Sequence, residues 1–127
     1  MSKMQRNKGA RGERELAKLL EEQLGLSVTR NLMQTRDGGH DLNGLPVALE
    51  VKRQETLKLN EWWSQAEEQG IRANKMPALA YRKSRHPWMF RVPISFFRGK
   101  IVSHTRNSYT ADIDLETFCF LLRELWL

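Results

Sequence analysis

From about Lys8 to Leu24 the apolar residues Leu16, Ala17, Leu19, Leu20 and Leu24 recur at helical spacing. That stripe predicts an amphipathic helix, with Gly25 as its C-cap. Residues 26–33 can make a first strand. Thr35 to Gly39 then reads as a loop, in which Gly38-Gly39 permits close backbone approach. Short apolar runs at about 41–43 and 47–53 predict the two strands of a hairpin. Residues 59–73 carry Trp62, Trp63, Ala66 and Ile71 and predict a second helix. Met76 to Tyr81 and Trp88 to Val92 read as further strands, each next to a proline. Leu115, Phe118, Leu121, Leu122 and Leu125 return to helical spacing and predict a last helix ending near Trp126. Helix, three strands, helix, two strands and helix describe one α/β domain over residues 1–127. Residues 1–7 form a basic arm in this reading, and residues 94–127 a C-terminal extension ending in the amphipathic helix.

Three acids stand out against the pattern. Glu13 falls three, four and seven residues before Leu16, Ala17 and Leu20, which puts it on the apolar face of its helix. A carboxylate there is either paired, hydrogen-bonded or metal-bound, or it is an exposed first-turn acid favoured by the helix dipole. Asp41 opens the hairpin, and Glu50 and Lys52 share one face of its second strand, because strand side chains alternate. A two-residue turn at Asn43-Gly44 would pair Asp41 with Pro46 and leave Glu50 four residues further along, roughly 13 Å away at strand rise. A four-residue loop over Gly44-Leu45-Pro46-Val47 pairs Asp41 with Glu50 directly. It also takes Pro46, which cannot donate a hydrogen bond, out of the ladder. The second register builds a site and is the one expected.

Composition narrows the chemistry. At 127 residues the chain supports a modest core, and no apolar run approaches the roughly 20 residues of a membrane span. The basic N-terminus lacks the apolar segment of a secretory signal, so the expected compartment is the cytoplasm, or the host cytoplasm for a phage protein. Cys119 is the single cysteine, which excludes an intrachain disulfide and a cysteine-based zinc site. Net charge is +6, and between Glu68 and Asp112 there are nine basic residues and no acid. A long segment of one sign points to a polyanionic partner, bound through phosphate contacts and counterion release. Nucleic acid is favoured over a membrane. If Asp41 and Glu50 converge, their repulsion demands a cation, and oxygen ligands point to magnesium or manganese.

Three ordered segments carry a resemblance: Lys8-Gly9-Ala10-Arg11-Gly12-Glu13-Arg14-Glu15-Leu16, Gly38-Gly39-His40-Asp41-Leu42 and Leu49-Glu50-Val51-Lys52-Arg53. Together they resemble the PD-(D/E)XK nuclease superfamily, and more narrowly the small Holliday junction resolvases of archaeal type that also occur in phages. The likeness runs from about Lys8 to Val92. It implies a restriction-endonuclease-like core, a central mixed β-sheet flanked by helices. It further implies a magnesium-dependent endodeoxyribonuclease, able to use manganese, that acts as a homodimer on four-way or other branched DNA. Carried onto this chain, the catalytic residues are Glu13, Asp41, Glu50 and Lys52. The metal ligands are Glu13, Asp41, Glu50 and the backbone carbonyl of Val51. Candidate DNA contacts are Lys3, Arg6, Lys8, Arg11, Arg30, Arg36, Arg53, Arg82, Lys83 and Arg85. Trp62 and Trp63 either stack on bases or pack in the core. His40 points away from Asp41's face, and His86 and His104 read as surface residues.

The chain departs from the resolvase pattern in a short loop before Asp41, and residues after Val92 match nothing in it. Two other functions stay open: a nuclease of the same fold acting on other DNA (restriction-like, mismatch or general phage nuclease), and a non-catalytic basic DNA-binding module.

Overall fold

The computed structural model describes residues 3–32, 40–99 and 109–127, without the side chains of residues 4–8. The loop Thr35 to Gly39 with Arg36, and His104, lie outside the described residues, as do the side chains of Arg6 and Lys8. Helix α1 spans Lys3–Leu24 and strand β1 Thr29–Arg30. Strands β2 (Leu42–Asn43) and β3 (Val47–Arg53) precede helix α2 (Leu59–Ala73). Strands β4 (Met76–Arg82) and β5 (Met89–Pro93) follow, then a 3-10 turn at Ile94–Arg98. Strand β6 (Thr110–Asp114) leads into helix α3 (Leu115–Leu121), which continues as a π-helical turn, Leu122–Trp126.

The main sheet has the order β3-β4-β5-β6 and is mixed. β3 and β4 run parallel, with Glu50 beside Leu79 and Lys52 beside Tyr81; the other two pairs are antiparallel. A parallel pair needs a crossover connection, and α2 supplies it. Alternation along the strands divides the core into two layers. Leu49, Val51, Ala78, Ala80, Phe90 and Val92 pack with Leu16 and Leu20 of α1 and with Phe118 and Leu122 of the C-terminal helix. Leu79 and Tyr81 face the other way, against Trp62, Trp63 and Ala66 of α2. Both tryptophans are therefore buried core residues. Phe118 stacks between Phe90 and Phe96, with ring centroids 4.1 and 5.6 Å away, and Phe96 stacks in turn on Trp126.

Four sequence expectations change. The expected basic arm is helical from Lys3, one continuous element with the amphipathic stretch. The first strand shrinks to two residues. β2 pairs with β1 rather than forming a hairpin ladder with β3. Beyond Val92 the chain adds the 3-10 turn and the edge strand β6. β6 is held to the sheet by its ladder with β5, by Ile113 packing on the core, and by Asp112, which receives hydrogen bonds from Arg91 and Tyr81. Among the described residues no helix is long and apolar enough to cross a membrane.

Candidate active site

Gly44 turns the chain so that β2 lies on β1. Its φ is +99°, and an added Cβ would come 2.1 Å from the Ser27 carbonyl oxygen, so only glycine fits. β2 then spends its backbone groups on β1, with Arg30 opposite Leu42. This is why no hairpin ladder forms and why β3 can begin at Val47 itself. One hydrogen bond still ties the two segments: the Asp41 N–H donates to the Leu49 carbonyl at 3.0 Å. The Asp41 carboxylate completes the link by accepting from the Val51 N–H at 2.7 Å. Asp41 thus sits beside Glu50, the juxtaposition that the four-residue loop was expected to give.

The carboxylates of this cluster are nearly enclosed: Glu13, Asp41 and Glu50 are only 7, 7 and 8 % exposed. Burial pushes the Asp41 carboxyl up to about 8, helped by the negative field of Glu50 and opposed by the Val51 N–H. Burial also raises Glu50, whose charge is partly offset by Lys52 and by a hydrogen bond with Asp41. Two acids in that contact share a proton rather than both ionising. Two of the three acids have a cationic partner in the chain. The Lys52 ammonium lies 3.6 Å from Glu50 and the Arg30 Nε donates to Glu13 at 3.1 Å. Glu13 is thus a buried, paired acid and not an exposed first-turn residue. It adds to the field at both Asp41 and Glu50.

The donor chemistry fits a hard divalent cation, since the converging groups are carboxylate oxygens and a cation can replace the proton that Asp41 and Glu50 share. Among the described residues no three His, Cys, Asp or Glu side chains close into a metal cage; Glu13 is drawn to Arg30. Val51, the other expected ligand, runs in the β3–β4 ladder opposite Ala80 and offers its N–H to Asp41. His40 is half-buried, with its proton affinity lowered by burial and by Lys75.

The candidate DNA contacts divide into two groups. Arg53 and Arg82 both pair with Glu15, which also accepts from the Trp88 indole N–H at 2.9 Å. Lys3, Arg11 and Arg85 are exposed, and Lys83 is half-buried. His86 is exposed, its ring against the Ser84 carbonyl at 2.9 Å. Sequence reading missed Arg14 and Lys18. With Arg30 they line a shallow groove of about 400 Å³ between α1 and β1, beside Glu13. The signal was present: Arg11, Arg14 and Lys18 are spaced by three and four, which makes one basic stripe on a helix.

No curated protein matches the sequence. The fold is similar to that of Hjc, a Holliday junction resolvase from the archaeal hyperthermophile Archaeoglobus fulgidus. The TM-score is 0.56 at 18% identity, over 91% of this chain and 99% of that chain, a likeness of fold alone. A family model described as "Phage putative PDDEXK endonuclease" matches residues 4–123. That span takes in the helix bearing Glu13, the segment bearing Asp41 and the strand bearing Glu50 and Lys52, and with it the chain belongs to the phage PDDEXK endonuclease family.

Proposed function

We propose that this protein is a divalent-metal-dependent endodeoxyribonuclease that hydrolyses phosphodiesters in branched DNA, four-way junctions included, and works as a homodimer. The observation that carries the reading is the buried Asp41–Glu50 carboxyl pair with Lys52 on the same strand face. Asp41 and Glu50, joined by Glu13 and the Val51 carbonyl, would hold Mg2+ or Mn2+. Such an ion, when bound, polarises the phosphate and lowers the pKa of water at the site. Lys52 orients the attacking water with its ammonium group and offsets the charge that grows on the phosphate oxygens. Water oxygen bonds to phosphorus as one phosphorus–oxygen bond breaks, leaving a phosphate and a hydroxyl at the nick. Arg30, Arg14 and Lys18 hold neighbouring backbone phosphates along α1, and Arg11 extends that track. A two-fold dimer suits a two-fold symmetric substrate, because it presents two sites to two strands.

A second substrate reading has support: the family description names an endonuclease and no junction. Cleavage of four-way junction, flap, mismatch and linear duplex by the wild type in Mg2+ separates the two. The branched-DNA reading requires preferential nicking of the junction. Asp41→Asn, Glu50→Gln and Lys52→Ala should each abolish it. Equal cutting of linear duplex rejects the branched-DNA preference, and active variants reject the site.

A further inference from the structure

A second concavity, an open pocket of about 540 Å³, lies between the C-terminal end of α1, the β4–β5 connection and the start of α3. Gln23, Arg82, Trp88, Leu115, Glu116 and Arg123 line it. None of these residues belongs to the carboxylate site. The pocket is nevertheless tied to that site, because Arg82 pairs in register with Arg53, the residue after Lys52.

Its chemistry is specific. The Arg82 guanidinium lies 5.8 Å from the centroid of the Trp88 ring. Glu15 fixes both groups, accepting a hydrogen bond from each. A flat cation pinned against an indole is a stacking platform for another flat π-system. Trp88 is itself a buried core residue and the Arg82 Nε is buried, so the surface offered to the pocket is the outer part of the partly exposed guanidinium. The rim carries both signs. Asp114 is engaged in capping Thr117 at 2.7 Å, and Arg123 donates to the Gln23 carbonyl at 3.0 Å. The Glu116 carboxylate and the Gln23 amide are left to meet a ligand, an acceptor and a mixed donor–acceptor. Two carboxylates at the mouth disfavour a bare phosphate. A planar group with donor and acceptor edges suits a stacking platform flanked by such readers.

We propose that this pocket takes a nucleobase unstacked from the bound DNA strand. The inference rests on the DNA-directed reading above and deepens it. Extruding a paired base is costly and an unpaired one is already free, so the pocket selects DNA that carries an unpaired base.

The test is fluorescence anisotropy of the full chain in EDTA, with a duplex and with the same duplex carrying one bulged nucleotide. The wild type should bind the bulged duplex roughly tenfold more tightly, the size expected for one stacked base. Arg82→Lys keeps the charge facing Glu15 but loses the planar surface, and Gln23→Trp fills the pocket from an exposed position. Each should bring the two affinities within about twofold, and Gln23→Trp, at a residue outside the candidate DNA contacts, should leave plain-duplex binding unchanged. Equal wild-type affinities would overturn the proposal, as would a preference that survives both variants. A free deoxynucleoside monophosphate that binds as tightly as the bulged duplex would overturn the assignment to a DNA strand. Cleavage of both DNAs in Mg2+ is measured in parallel. A bulge preference without cleavage defeats the nuclease reading and leaves the pocket standing; cleavage without a preference does the reverse.

Discussion

Asp41→Asn should stabilise the metal-free protein while abolishing its response to magnesium. The amide oxygen can still accept from the Val51 N–H, so the 2.7 Å link that positions the segment survives. What disappears is a charge that the fold resists, through burial first and the field of Glu50 second. A carboxyl with a folded pKa above its unfolded value costs nothing while protonated in both states, below about 4. Its ionisation then subtracts stability as pH rises from about 4 through about 8. Each pH unit in that window removes up to about 1.4 kcal/mol, and sharing the proton with Glu50 limits the total to about 3 kcal/mol. For a chain of this length that corresponds to a Tm difference of roughly 10 °C. Thermal unfolding in EDTA at pH 4 and pH 9 measures it: wild type and variant should melt close together at pH 4, and the variant clearly higher at pH 9. Added Mg2+ should raise the wild-type Tm, by about 2.7 kcal/mol of stability at a hundred times its Kd, and leave the variant unmoved. A variant that melts below wild type at pH 9 in EDTA, or that gains as much from Mg2+, refutes the argument.

Three further outcomes follow from named contacts. Gly44→Ala forces a Cβ against the Ser27 carbonyl at a φ of +99°; it should cost more than about 1 kcal/mol and cut nicking sharply by displacing Asp41, and unchanged activity would separate that turn from the site. Phe118→Ala empties the stack between Phe90 and Phe96 and should cost about 3–5 kcal/mol in urea unfolding, with a loss below 1 showing that the two core layers do not depend on it. Arg14→Gln and Lys18→Gln should each lower the slope of log affinity against log salt by about 1 and leave the rate at saturating DNA unchanged, and unaltered slopes would take the strand away from that groove.

The sequence carried most of the fold because its long elements have strong periods. The stripe from Leu16 to Leu24 and the run of α2 from Leu59 to Ala73 match the observed helices closely. The elements it missed owe their form to partners. β6 has only five residues, Thr110–Asp114, and exists through its ladder with β5 and the grip of Arg91 on Asp112. β2 turned away from β3 because Ser27, some seventeen residues upstream, leaves room only for glycine at Gly44. Steric demands of that kind depend on a distant backbone, and no local pattern records them.

The same distinction explains the site. Glu13 was legible as a charge on an apolar face, because burial follows from helical period alone. Its counterion was not, since Arg30 reaches it only through the β1–β2 pairing. Glu15 has the same relation to Arg53 and Arg82, the latter 67 residues away. The sequence names both arginines as candidate DNA contacts, and each pairs with the partly exposed Glu15. A net charge of +6 is therefore a poor map of where a phosphate can bind. Electrostatic attraction is strongest where cations stand together without acids between them. That condition is approached on the outer face of α1, where Arg11, Arg14 and Lys18 are exposed and Glu21, the acid that lines the same groove, is held by the Val28 N–H. The same helix buries Glu13 on its inner face. On the proposed reading, one helix thus joins the phosphate-binding residues to the carboxylates.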